Sequence, residues 1–135
     1  MRRISKLVVM VMIMIAACLL TMTACSSAVA KDGTLLKEGH VRKISVSSRP
    51  EGYSRSFTGD KAQSIIDYIS QLHLIDDYPE NPADYDGMTW VITLEYEDGT
   101  SLTIYHFGNM FIKTENGSWY KMTYEEASRF DELVS

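Results

Sequence analysis

Residues able to do chemistry are few in this chain, and they are widely spaced. None of its three histidines, His40, His73 and His106, falls in H-E-x-x-H or another metal-ligand spacing. No G-x-S-x-G, S-x-x-K or phosphate-cradling glycine loop occurs, and no serine has a partner base nearby in sequence. A catalytic centre is therefore not expected, nor a cofactor. His106 falls in the middle of an alternating segment, where burial would disfavour its charged form. It reads as a structural histidine, with pH sensing as the alternative. The stretch holding Asp76, Asp77, Glu80, Asp84 and Asp86 offers carboxylate oxygens of the kind calcium takes. Asp84, Asp86 and Gly87 match three places of the calcium loop, but Pro82 and Thr93 stand where its first and last ligands belong. An EF-hand is excluded, and only a looser cation cage remains as an alternative.

Of the two cysteines, Cys18 is a filler within an apolar run, and Cys25 is the one placed to react. Arg2, Arg3 and Lys6 precede an uncharged run of 14 residues, Leu7 to Leu20. A helix crossing the bilayer needs about 20 apolar residues, so the run reads as the core of an export signal. Met22-Thr23-Ala24-Cys25 follows it and resembles the lipobox of bacterial lipoproteins, with Met22 where Leu is usual. The resemblance implies that the Cys25 thiol carries a diacylglyceryl group and becomes the mature N-terminus. Residues 1–24 are then a signal peptide, and the protein is held on the outer side of the cell membrane. Ala28-Val29-Ala30 is the rival site, which would release a soluble secreted domain beginning at Lys31.

Cleavage before Cys25 leaves 111 of the 135 residues, enough for one small domain. No cysteine follows Cys25, so the domain has no internal disulfide, no Cys/His zinc site and no cysteine nucleophile. Loss of Arg2, Arg3 and Lys6 from the 13 basic residues leaves 10 against 18 acidic, a net charge of −8. Nucleic acid is disfavoured as a partner, since phosphate contacts need clustered Lys and Arg. The charge is laid out in blocks. Residues 31–63 hold seven basic and four acidic residues, whereas residues 64–112 hold nine acidic and no basic ones. A basic part near the anchor suits an anionic leaflet, although solubility alone accounts for such a layout.

These residues must be positioned by a modest set of elements. Residues 25–39 are small and polar and read as a flexible tether, leaving 40–135 as a single domain. Val41 to Ser48 alternates as a strand with Ile44 and Val46 on one face, closed by turn residues from Arg49 to Gly52. Ala62, Ile65, Ile66, Ile69 and Leu72 stand at helical spacing behind Asp60, which with Gln63 resembles a capping box. The acidic segment 76–87 has two prolines and reads as a loop. Two alternating runs then flank Asp98-Gly99. A three-residue loop, Glu97-Asp98-Gly99, with its glycine in the left-handed conformation pairs Leu94 with Leu102, Ile92 with Ile104 and Trp90 with His106. A slip of one residue would scatter those apolar side chains over both faces.

Gly108-Asn109 and Asn116-Gly117 read as two-residue hairpin turns. They bring Phe111 beside His106 and Met122 beside Phe111, with Tyr120 next on that face. Thr123 and Glu126 form a capping box opening a short last helix, with Tyr124, Ala127, Phe130 and Leu133 or Val134 inward. The fold expected is α+β: a four- to five-stranded antiparallel meander packed by one helix on the N-terminal side and a short C-terminal helix. The sheet's other face would carry Val91, Thr93, Glu95, Ser101, Thr103, Tyr105 and Phe107, with Ile112 and Trp119 on later strands. Tyr105, Phe107 and Trp119 make that half-polar face a candidate binding surface.

With its lipobox-like start and this outline, the chain resembles the small lipoproteins of Gram-positive bacteria that carry a short α+β domain of unknown function outside the membrane. The resemblance implies a lipid-anchored binding or accessory module whose partner is an envelope protein or ligand. A cation-binding sensor or envelope-stress lipoprotein using the acidic loop is the second reading.

Overall fold

The computed structural model describes residues 26–28, as backbone, and 35–135. Cys25, the residues 1–24 read as a signal and the Ala30 position weighed for cleavage lie outside the described residues. The strands are β1 (Ser26–Ala28), β2 (Gly39–Arg49), β3 (Ser54–Phe57), β4 (Thr89–Tyr96), β5 (Ser101–Phe107), β6 (Phe111–Thr114) and β7 (Tyr120–Lys121). The helices are α1 (Gly59–Ser70) and α2 (Tyr124–Val134), with a 3-10 turn at Pro82–Asp84. One open antiparallel sheet runs β1-β2-β4-β5-β6-β7, and β3 pairs with β2. β4 occupies one edge of β2, so β1 near its start and β3 near its end share the other.

The strands alternate, and one face of the sheet is buried throughout. Ile44, Val46, Trp90, Ile92, Leu94 and Ile104 form the core with Ile65, Ile66 and Ile69 of α1 and Ala127, Phe130 and Val134 of α2. Val41 joins them although it lies three residues before Ile44, a spacing that breaks strict alternation. The register shifts between Val41 and Lys43, and such a bulge returns the strand to phase. Arg42 and Lys43 are turned the other way, where both bind Glu95 at 3.0 and 2.8 Å.

The β4–β5 hairpin has the register that apolar pairing required: Trp90 faces His106, Ile92 faces Ile104 and Leu94 faces Leu102. Gly99 is at φ +83°. The next two turns differ from expectation in the same way. The Gly108-Asn109 turn forms, with the Met110 N–H donating to the Phe107 carbonyl at 3.2 Å, but Met110 is an extra residue before pairing resumes. Phe111 therefore faces Phe107, and Ile112 takes the place beside His106. In the following turn the Gly117 N–H donates to Thr114 and one more residue is again interposed, so Phe111 faces Lys121 and Ile112 faces Tyr120. The two slips cancel for β7, which keeps Met122 and Tyr120 against the core. Only β6 is turned over. Ile112 belongs to the core and not to the far face, while Phe111 belongs to the far face.

Other expectations are corrected at the element ends. Thr58, not Asp60, is at the N-cap of α1; Asp60 lies in its first turn, and Gln63 bonds Asp67 at 2.8 Å. Ser54–Phe57, beyond the Arg49–Gly52 turn, is a strand because its four residues complete the ladder with β2. In the stretch read as a tether, Ser26–Ala28 pair with β2, and Leu35 and Leu36 are buried in the core. The packed chain thus begins before residue 39. Lys37 then closes onto the hairpin loop, bonding Asp98 at 2.9 Å, and its carbonyl accepts the Tyr96 hydroxyl at 3.1 Å. At the other end, Tyr124 opens α2 but is 70% exposed and does not face inward, whereas Val134 is buried as expected, with Leu133 packed beside the core.

Candidate functional site

The sheet face away from the helices is half covered. Across β2, β4, β5 and β6 two neighbouring rows of residues run over it. One is Arg49, Thr89, Phe107 and Phe111; the other is Ser47, Val91, Tyr105 and Lys113. Phe111 has no exposed surface, yet it stands apart from the main core. Its cover is the acidic loop. The Tyr78 and Tyr85 rings lie 5.5 and 5.4 Å from the Phe111 ring, and the Tyr78 hydroxyl donates to the Trp119 carbonyl at 3.2 Å. The loop is fixed along the sheet edge by paired backbone bonds between Ile75 and Lys121, each 2.8 Å. Glu80 pairs there with the Lys121 ammonium, whose hydrogen bond holds its carboxyl below the usual range. Asn81 accepts the Ala83 N–H at 3.1 Å and starts the 3-10 turn.

Where the loop stops short, a groove of about 520 Å³ remains between it and the sheet. Tyr105, Phe107, Trp119 and Tyr85 are its aromatic lining, joined by Arg49 and Lys113. The Phe107 and Trp119 rings are 6.1 Å apart. The Lys113 ammonium sits 4.9 Å from the Trp119 ring centre and 5.8 Å from that of Tyr105, a cation held against two electron-rich faces. The three aromatics named from the sequence are thus brought to one place. Arg49 and Lys113 were not foreseen as members. Lys113 is the first basic residue after the stretch 64–112, which was a signal for it; Arg49, with Arg55 and Lys61 following it, had none, and only the strand order brings it there.

The other named residues are placed elsewhere. Asp76, Asp77, Asp84 and Asp86 are exposed, and among the described residues no group of three or more His, Cys, Asp or Glu side chains could hold a metal. His73 binds Glu126 through both its backbone N–H and its ring Nδ1, at 3.0 and 2.8 Å. Burial raises the Glu126 carboxyl, but the bonds from His73 and Thr123 outweigh it and bring it down to about 2. His106 is fully buried, stacks on Phe130 at 5.3 Å, and has no hydrogen-bond partner for either ring nitrogen among the described residues. Burial brings its pKa down to about 4. Thr123 and Glu126 form the full capping box of α2. At Gly117, beside Asn116, a Cβ would meet the Thr114 hydroxyl, so a larger residue there obliges the Thr114 side chain to turn away.

Among the described residues no helix is long and apolar enough to cross a membrane. Compared with known proteins, the chain matches no family model, no curated protein and no solved structure.

Proposed function

We propose that this protein is a lipid-anchored extracytoplasmic binding module, not an enzyme, whose ligand site is the aromatic groove on the open face of the sheet. The groove carries the reading: four aromatic side chains and two cations line one open cavity of about 520 Å³, within the size range of small-ligand sites. The anchor rests on Met22-Thr23-Ala24-Cys25 behind an export-type apolar run. β1 begins at Ser26, so acylation of Cys25 keeps the sheet edge within a residue or two of its attachment to the bilayer. Cleavage after Ala30 would instead remove β1 from the sheet, which favours the cysteine site.

Two acyl chains make a stable anchor where one does not. The wild-type protein is expected in the membrane pellet after a high-salt wash that strips electrostatic attachment. Mass spectrometry should find a diacylated N-terminal Cys25. An unlipidated N-terminus at Lys31 would make this a secreted protein and retire the anchor.

A further inference from the structure

The groove's charge is opposite to what its sequence surroundings supply. Residues 64–112 contain nine acidic side chains and no basic one, and that stretch builds most of the open face. Two acids of the domain are engaged, Glu95 by Arg42 and Lys43 and Glu80 by Lys121. The two cations at the groove have no such partner. Among the described residues Arg49 makes no side-chain hydrogen bond or ion pair, and Lys113 makes only its two ring contacts. Ring faces position an ammonium but accept no conventional hydrogen bond, so the Lys113 N–H donors remain available. Glu115 is the acid in the lining, leaving one net positive charge there.

The register fixes how the cations are spread. Arg49 on β2 and Lys113 on β6 are separated by three interstrand steps, about 14 Å across the sheet. Thr89, Phe107 and Tyr105 form the floor between them. Each end of the groove therefore offers a charged donor, and the middle offers flat apolar surface. Such a site takes a molecule whose body lies on rings and whose anionic end meets a cation.

Resting on the groove as ligand site, we propose that it selects small amphipathic anions: a carboxylate or phosphate group on an apolar body about the size of an aromatic ring. The test uses the full chain in a non-ionic detergent, titrated with phenylacetate, phenyl phosphate and neutral phenylacetamide. The Trp119 indole N–H and the Tyr105 and Lys113 amides are followed by NMR. At least one anion should bind about fivefold more tightly than the amide, the scale of one partly exposed charge contact. Arg49→Gln or Lys113→Met should remove most of that preference, and Glu115→Gln should increase it, with the remaining spectrum unchanged. If the amide binds as tightly as both anions, or if neither cation variant alters the preference, the selection for anions is wrong while the groove stands. If no probe moves the Trp119 signal at millimolar concentration, the groove is not a ligand site and both readings fall.

Discussion

At neutral pH the buried His106 imidazole carries no charge, because burial penalises the cation and among the described residues its ring nitrogens have no side-chain partner to offset that. Its folded pKa of about 4 lies below the ordinary value of 6.5. Between those values the unfolded chain binds a proton that the folded one refuses, so stability falls as pH drops through this window. The full difference amounts to roughly 3 kcal/mol, of which about 2 kcal/mol is lost by pH 5. Urea titrations at pH 7.5 and pH 5 should show this loss in the wild type and its absence in His106→Leu. An equal loss in both would assign the acid sensitivity to other groups. Gly99 is a second decisive residue. A Cβ there meets nothing within 4 Å, so its φ of +83° alone sets the cost of substitution. Gly99→Val should lose more than about 1 kcal/mol, whereas Gly99→Asn should lose less. Equal stability of all three would contradict the loop conformation.

Among the elements, α2 is held at its start by one carboxylate. Glu126 accepts from the Thr123 N–H and also from His73, beyond the end of α1. Thr123→Ala removes the cap alone and should cost about 1 kcal/mol. Glu126→Ala should cost more, about 2 kcal/mol, because the His73 tie is lost as well. Calorimetric melting of both variants checks the order. The acidic loop and β6 form a second unit. Phe111→Ala should cost about 3 kcal/mol despite lying outside the main core, since it empties the space beneath Tyr78 and Tyr85. A loss under 1 kcal/mol would mean that the loop is not packed on β6.

For the whole molecule the outer edge of β2 is the sensitive place. β1 covers its first residues, Gly39 to Val41, and β3 covers Ile44 to Ser47. A chain beginning at Lys31 lacks β1 and presents unpaired backbone groups at that edge. Such a protein should melt a few degrees lower and self-associate more than one beginning at Cys25→Ala, as read by calorimetry and by sedimentation. Indistinguishable behaviour would make β1 dispensable.

Much of this protein follows from its sequence alone, for reasons that act over short distances. Alternation in β4 and β5, the Asp98-Gly99 turn and the Thr123–Glu126 box depend on neighbours a few residues away, and each formed as read. The same local rules were ambiguous by one residue at Met110 and Gly117, where a two-residue and a three-residue loop use similar turn residues. Only packing separated them: Ile112 fills the place beside His106, and Phe111 is free to be covered by a loop that sequence marked merely as acidic. The strands Ser26–Ala28 and Ser54–Phe57 carry almost no apolar pattern and exist because β2 has an edge to pair. The groove has the same origin. Its aromatics lie on residues 85–119, but Arg49 reaches them only because β2 docks beside β4, a long-range pairing that no local spacing encodes.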